Sequence, residues 1–319
     1  MRSLNNIAWS LLACLGLGLM MAPSSVCADN LEDLLQQVGT EYAESYSAPF
    51  INTFGPNLTS NFFSTADISW HSITFGVGVK FMSSTIDEED QTFSREINDI
   101  DFAPFLPVQN SGYNQRGDII MSGPTIFGST ETDGTIRFVP DNRAEFSIVA
   151  IPGLVETTNV PMFAPELYVG GLYGLKATLR YLPEIASDNY GKTKFMGYGL
   201  QWSAKGFMPK LPVDLMVGFF SQDLDVGDLL KTTSNSYFVG ASKSFSLLTA
   251  YAGLAKEDSE MTITYHFDDL DKDVSFTVEG EQSSRAILGG TLSIPGMKLN
   301  LELGKGSVTT YSAGLMFGI

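Results

Sequence analysis

Cysteine and histidine are nearly absent from the sequence. In 319 residues there are two cysteines, Cys14 and Cys27, and two histidines, His71 and His266. Zinc and copper sites are built on these residue types, so we expect no metal site and no cofactor. Both cysteines lie within the first 28 residues, so the remaining chain has no disulfide framework and depends on burial and hydrogen bonding.

Basic residues are also scarce. The chain has 19 Lys and Arg against 36 Asp and Glu, which gives a net charge of −17. Phosphate backbones and anionic membrane surfaces are bound through clusters of Lys and Arg. This balance therefore excludes a nucleic-acid partner and a basic membrane-surface binder. Charged residues make up only 17% of the chain, below the roughly 25% usual in soluble domains.

Catalytic motifs are missing too. The sequence contains no Gly-x-Ser-x-Gly, no phosphate-binding glycine loop and no dinucleotide fingerprint. His266 and Asp268 share a strand face, but no nucleophile accompanies them. The acidic stretch at 223–228 resembles part of a calcium loop without its final Glu, which favours a solvated turn, with weak calcium binding as the alternative. We therefore predict that the protein is not an enzyme.

The first residues predict export. Arg2 precedes an apolar run at 7–21, and Val26-Cys27-Ala28 is close to the small-x-small cleavage pattern. This is the layout of a secretory signal peptide at residues 1–28. The alternatives are a membrane anchor, for which the run is short, and lipidation at Cys14, beyond which the apolar run continues.

Only one stretch predicts a helix. Leu31, Leu34, Leu35, Val38 and Tyr42 follow one another at spacings of three and four within residues 29–50, and a proline at position 49 is expected to end the helix. This apolar stripe fits a helix that packs on the surface of the fold, and it fits equally a helix that plugs a lumen. We assign residues 29–66 to this helix and a lead-in segment.

Beyond residue 66 the apolar period changes to two. From Ile73 to Phe81, and again from Met196 to Trp202, apolar residues alternate with polar or small ones. Strands of about 9 to 12 residues, with short turns and long loops alternating between the middle ones, are typical of outer-membrane barrels. We predict an all-β fold, an antiparallel transmembrane β-barrel of roughly 12–14 strands over residues 67–319. A secreted β-sandwich is the alternative, and prolines leave residues 83–163 unassigned.

The last predicted strand favours the barrel. Tyr311, Ala313, Leu315, Phe317 and Ile319 lie on one strand face. A barrel turns such a face toward lipid and closes every strand edge. We therefore expect the protein in the bacterial outer membrane, with the lipid of that membrane as a partner.

Charged residues of both signs are predicted to face the lumen. They are Glu166, Lys176, Arg180, Lys194, Glu279, Arg285 and Glu302. Mixed charge suits an interior that is packed or plugged through ion pairs better than a selective pore. Glu302 and Arg285 lie on nearby predicted strands, so we expect them to pair.

Several short motifs carry a family resemblance. Examples are Asn61-Phe62-Phe63-Ser64-Thr65-Ala66, Pro165-Glu166-Leu167-Tyr168-Val169-Gly170-Gly171 and Gly240-Ala241-Ser242-Lys243-Ser244-Phe245. They resemble an uncharacterised family of exported bacterial proteins, a domain of unknown function presumed to form barrels. A looser resemblance in layout is to the outer-membrane fatty-acid transporter barrels, which also place a helical plug before the barrel.

Together these features predict an outer-membrane barrel that passes a small hydrophobic solute passively. A structural or surface-interaction barrel without transport is the alternative. Neither the solute nor the oligomeric state follows from the sequence.

Overall fold

The computed structural model describes residues 25–101, 116–141, 144–187, 191–227, 230–267, 272–280 and 283–318. Most of the predicted signal peptide, part of the acidic stretch at 223–228, Asp268 and Ile319 fall outside these ranges. The chain forms two compact units, one from residues up to 50 with 86–158, the other from Ile51–Thr85 and Asn159–Ile319. This division differs from the predicted 29–66 and 67–319, because residues 86–158 build a sheet of their own.

The described residues contain fifteen strands, numbered in chain order. They are β1 His71–Thr85, β2 Thr92–Asp101, β3 Arg116–Pro124, β4 Thr135–Pro140, β5 Phe146–Val149, β6 Asn159–Leu172, β7 Leu175–Ser187, β8 Gly191–Ser203, β9 Asp214–Val226, β10 Leu230–Phe245, β11 Leu248–Phe267, β12 Lys272–Glu279, β13 Ser283–Ile294, β14 Met297–Lys305 and β15 Thr309–Gly318. Short 3-10 helices lie at Glu88–Gln91 and Ala204–Gly206.

One long helix, α1, spans Ser25–Leu58. It continues past Pro49, where the sequence predicts its end. A proline inside a helix costs about 3 kcal/mol through a lost hydrogen bond and a clash. Burial of Tyr46 before this proline, and of Ile51 and Leu58 after it, offsets that cost. Within the described residues, no helix combines the length and apolarity needed to cross a membrane.

The first unit packs the early part of α1 with a four-stranded antiparallel sheet in the order β2-β3-β4-β5. Val38 and Tyr42 belong to its core, together with Ile119, Met121 and Phe138. Of the two alternatives that the sequence leaves open, Val38 and Tyr42 therefore fit the helix that packs on the fold and not the one that plugs a lumen. The side chains of the other three plug candidates, Leu31, Leu34 and Leu35, lie outside the described part of the chain.

The second unit is a closed antiparallel β-barrel, so the predicted fold class is confirmed. Ten strands follow one another in the order β10-β9-β8-β7-β6-β1-β15-β14-β13-β11, and pairing of β10 with β11 closes the ring. The count is lower than the predicted 12–14 because β2–β5 form a separate sheet and β12 pairs only with the far end of β11. The β-sandwich alternative is excluded, because these strands close into one barrel.

The two faces of the barrel wall differ in chemistry. Large apolar side chains are exposed on the outside of all ten strands, among them Val77, Leu254 and Leu288 at 62–63% exposure. The alternate positions carry polar and charged side chains that are buried inside, such as Arg180 and Arg285. This is the reverse of a soluble barrel, whose water-facing side is polar.

Candidate functional site

The lumen of the barrel contains a stretch of the same chain. We call residues 51–70 the inner segment. Near one end of the barrel, Asn57 Nδ2 donates a hydrogen bond of 2.7 Å to the carbonyl of Val160, at the start of β6. At the other, Ser203 Oγ at the end of β8 donates to the carbonyl of Ala66 at 2.6 Å. Since β6 and β8 run in the same direction, these contacts lie at opposite ends, and the inner segment spans the lumen.

Two arginines of the wall bind the end of α1. Arg285 Nη1 donates to the carbonyl of Pro56 at 2.7 Å, and Arg180 Nη1 to that of Leu58 at 3.1 Å. The last four carbonyls of a helix have no partner within the helix, and this end carries partial negative charge. The last turn of α1 contains no basic residue of its own, so the barrel supplies the cations that stabilise it.

Arg180 also orders the chain that follows the helix. Its Nη2 donates to the carbonyl of Ser60 at 2.8 Å, and its Nε to Glu166 Oε2 at 2.9 Å. The guanidinium lies 3.5 Å from the ring centroid of Phe62, and this ring also stacks on that of Phe220 in β9. With its charge paired and its donors occupied, this arginine is fully buried.

Arg285 has a different carboxylate partner from the one predicted. Its Nη2 lies 2.8 Å from Glu257 Oε1, and the same oxygen accepts a hydrogen bond from Thr59 Oγ1 at 2.5 Å. The predicted pair with Glu302 is therefore wrong. Glu302 instead accepts from the backbone N–H of Asn61 at 2.8 Å. The sequence does not predict the role of Glu257, because the polar composition of residues 256–260 is typical of a turn, whereas these residues lie within β11.

Asn61 is the point where the inner segment turns. Its φ of 60° is a left-handed conformation, which Asn tolerates better than other side-chain-bearing residues. Its side chain accepts from Lys80 Nζ at 2.8 Å and donates to Ser312 Oγ at 3.0 Å. Backbone and side chain are thus both bound to the wall.

Beyond Asn61, wall side chains bind the backbone directly. Gln201 Nε2 donates to the carbonyl of Phe62, and Thr291 Oγ1 to that of Ser64, both at 2.7 Å. The N–H of Ala66 donates to Ser242 Oγ at 2.8 Å. Contacts to the inner segment therefore come from around the ring, and the backbone groups named here each have a partner in the wall.

A cavity remains beside the inner segment, at the end of the barrel where β1 begins. Its volume is about 470 Å³. Residues 64–71 form one side, and the wall strands form the other with Tyr168, Lys176, Lys298 and Asn300. Among the described residues, no group of three or more His, Cys, Asp or Glu side chains is placed to hold a metal ion.

The sequence matches one family of proteins over its full length. A family of unknown function, DUF6588, matches residues 1–319. The chain belongs to this family. The resemblance of the sequence to an uncharacterised family is thereby confirmed, and the motif at 61–66 lies inside the barrel as part of the inner segment.

Solved structures similar to this DUF6588 chain are outer-membrane proteins. OmpT of Vibrio cholerae, in its trimer form, is 10% identical over 78% of this chain and 99% of its own, with a TM-score of 0.24. The CymD monoaromatic hydrocarbon channel is 10% identical over 84% and 92%, also with a TM-score of 0.24. A mutant porin of Rhodopseudomonas blastica is 11% identical over 78% and 100%, with a TM-score of 0.16. No curated protein matches the chain.

The structure separates the seven predicted lumen residues of this family member into two groups. Glu166, Lys176, Arg180, Arg285 and Glu302 are buried inside the barrel. Lys194 and Glu279 are exposed, so their prediction as lumen residues is wrong. Their chain neighbours Phe195 and Val278 are buried, and successive strand residues face opposite sides, which turns both charged residues outward.

Two further lumen residues with several contacts are Lys80 and Asn61, neither of which the sequence predicts. Lys80 is buried and binds Asn61, and it lies 3.7 Å from Glu166. A signal for it existed, because it shares the polar face of β1 with Thr74, Gly76 and Gly78. Asn61 itself gave no such signal, because nothing in its local sequence predicts contacts with residues far along the chain.

Proposed function

We propose that this protein is an outer-membrane β-barrel that its own inner segment keeps closed, and that it passes a small solute when that segment moves. The observation that carries the proposal is the inner segment, which spans the lumen and is bound by the wall along its length. Such a barrel is not an open pore in this conformation.

The membrane part of the proposal rests on the outer face. Soluble proteins rarely expose contiguous apolar patches larger than a few hundred Å². Here exposed Val, Leu, Phe and Tyr side chains occur on every strand of the ring, with the polar positions turned inward. Lipid is the solvent that suits this face, and a closed ring of strands leaves no unpaired edge in it.

The solute part of the proposal rests on the cavity. Lys176, Lys298 and Asn300 line it together with Thr291 and Tyr168. This polar and charged lining supports a solute with a polar or charged group rather than the purely hydrophobic one expected from the sequence. The filled lumen beyond the cavity favours a second candidate, a structural or surface-interaction barrel that passes nothing.

A reversible cross-link distinguishes the two candidates. Thr65 Oγ1 of the inner segment and Ser242 Oγ of the wall are 3.5 Å apart, so cysteines at both positions are close enough for a disulfide. The chain after residue 28 has no other cysteine to compete. We expect the Thr65→Cys/Ser242→Cys protein to conduct in planar bilayers when reduced, and to lose most of this conductance when oxidised.

The single variant Thr65→Cys is the control, and its conductance should be the same under reducing and oxidising conditions. If wild type, single variant and reduced double variant all fail to conduct, the structural or surface-interaction barrel is the better account. The membrane part is tested separately, by outer-membrane fractionation and by a folded band that shifts on heating in gel electrophoresis.

A further inference from the structure

The cavity beside the inner segment has an unusual charge for this chain. Four lysines line it, against two carboxylates, Asp67 and Glu166. Lys80 lies 3.7 Å from Glu166, and Lys205 lies 2.5 Å from Asp67. These two pairs account for both carboxylates, in a protein whose net charge is −17.

The other two lysines have no such partner. Among the described residues, neither Lys176 nor Lys298 has a carboxylate within ion-pair distance. Both ammonium groups lie near the ring of Tyr168, at 4.7 Å and 5.9 Å from its centroid. A cation–ring contact attracts the ammonium group but supplies no negative charge to neutralise it. Lys176 is only 9% exposed, so most of its hydration is lost. The carboxylate that attracts it, Glu166, is already paired with Lys80 and Arg180.

The ring of Tyr168 depends on a small residue in the neighbouring strand. A Cβ atom at Gly76 would lie 2.5 Å from Tyr168 Cε1, so the missing side chain leaves room for this ring. Tyr168 lines the cavity together with both lysines, so a ligand in the cavity would meet its side chain.

The remaining lining has an apolar part. Ile68, Trp70 and Met316 border the same cavity. A volume of about 470 Å³ falls within the range of small-molecule pockets, roughly 300–1,000 Å³. The lining therefore combines two ammonium groups that form no ion pair with the described residues and an apolar and aromatic wall.

We propose that this cavity binds a small organic carboxylate. The carboxylate group lies at Lys176 and Lys298, and the apolar body lies against Trp70 and Ile68. This inference names the solute class for the proposed function and rests on it for physiological meaning, but binding itself is measurable without transport.

The test is titration calorimetry on the purified full chain in a neutral detergent. Benzoate is the probe, and benzamide is its uncharged counterpart of nearly the same shape. We expect benzoate to bind at least tenfold more tightly than benzamide, a difference of about 1.4 kcal/mol. Equal binding of the two, or no binding of benzoate, would overturn the proposal.

Variants assign the site. Lys176→Gln and Lys298→Gln should each weaken benzoate binding about tenfold, since each removes one of two charges. Lys256→Gln, on the exposed outer face, is the matched control and should change nothing. Lys298 is more exposed than Lys176, so its variant is the safer one for folding, and heat-shifted gel mobility checks both. Unchanged affinity in folded Lys298→Gln would refute the assignment.

Two further measurements, competition by phosphate and conductance of the barrel, distinguish this proposal from related explanations. Inorganic phosphate that displaces benzoate at equal concentration would mean a general anion site, and the carboxylate assignment would fail. Benzoate that binds to a barrel which never conducts would leave this inference standing and remove the transport part of the proposed function.

Discussion

Arg180 joins three parts of the barrel unit through one side chain. It caps the end of α1 through Leu58, holds the backbone at Ser60, and neutralises Glu166 on the neighbouring strand. Buried ion pairs add little net stability when both partners are counted, but removing one partner leaves the other charge uncompensated. Loss of this arginine is therefore expected to destabilise the barrel unit, because it would leave the buried Glu166 and two carbonyls without this donor.

We predict that Arg180→Ala lowers the free energy of unfolding by about 3–5 kcal/mol, because Glu166 and the carbonyls of Leu58 and Ser60 lose a donor. The measurement is the urea midpoint in detergent micelles. Arg137→Ala is the control, since Arg137 pairs with Glu145 on an exposed surface and should contribute at most about 1 kcal/mol. Equal effects of the two substitutions would contradict the capping role.

Asn61 allows a test of backbone strain at a single position. Asn61→Gly and Asn61→Ala both remove the side-chain bonds to Lys80 and Ser312. Both residues must adopt the positive φ of this position, which costs glycine little but costs alanine about 1–2 kcal/mol. We expect Asn61→Ala to unfold at lower urea than Asn61→Gly, and the reverse order would show that the turn relaxes.

At the scale of elements, α1 belongs to the first unit up to residue 50 and to the second from Ile51 onward. In the first unit Tyr46 is buried, and its hydroxyl donates to the carbonyl of Pro152 at 3.1 Å. Burial raises the pKa of Tyr46 above its ordinary value, because the phenolate would lose its hydration. A raised pKa means that folding favours the neutral phenol.

The stability that Tyr46 contributes should therefore be fully present below its unfolded pKa of about 10 and should fall as the pH rises beyond it. We predict that Tyr46→Phe is less stable than wild type at pH 8, by about 1 kcal/mol for the lost hydrogen bond. By pH 11 this difference should shrink or reverse. Urea midpoints of both proteins at the two pH values give the comparison, and a constant difference would contradict it.

The strands could be predicted from the sequence, because alternation is a local property. The faces of β1, β8 and β15 follow directly from residues such as Val77, Tyr198 and Phe317. Charge alone does not predict the face of Lys194 or Glu279, because burial of the neighbouring Phe195 and Val278 determines which way each strand turns.

The inner segment could not be predicted in this way. Residues 59–70 form neither helix nor strand, and their structure depends on donors such as Gln201 and Thr291, more than a hundred residues away in the chain. Val38 and Tyr42, which the sequence offers as plug residues, pack on the sheet of the first unit instead. The segment that fills the lumen begins at residue 51, and polar side chains of the wall bind its backbone.

At the scale of the whole molecule, the outer face predicts how the protein responds to charge. We expect Leu254→Arg to destabilise the barrel by about 2–4 kcal/mol in phospholipid vesicles, because Leu254 lies on the outer face well inside the span of β11. Leu247→Arg, in the turn between β10 and β11, should cost at most about 1 kcal/mol. Urea unfolding in vesicles measures both, and equal small effects would mean that the face does not meet lipid.

The ring of strands also encloses a stretch that is continuous with the chain at both of its ends. The inner segment follows most of a 34-residue helix and leads directly into β1. A finished ring would have to admit the inner segment lengthwise through its lumen, whereas an open sheet needs only to curl around the segment. The simplest order of assembly therefore lays the segment down first, as a template, and joins the last pair of strands around it.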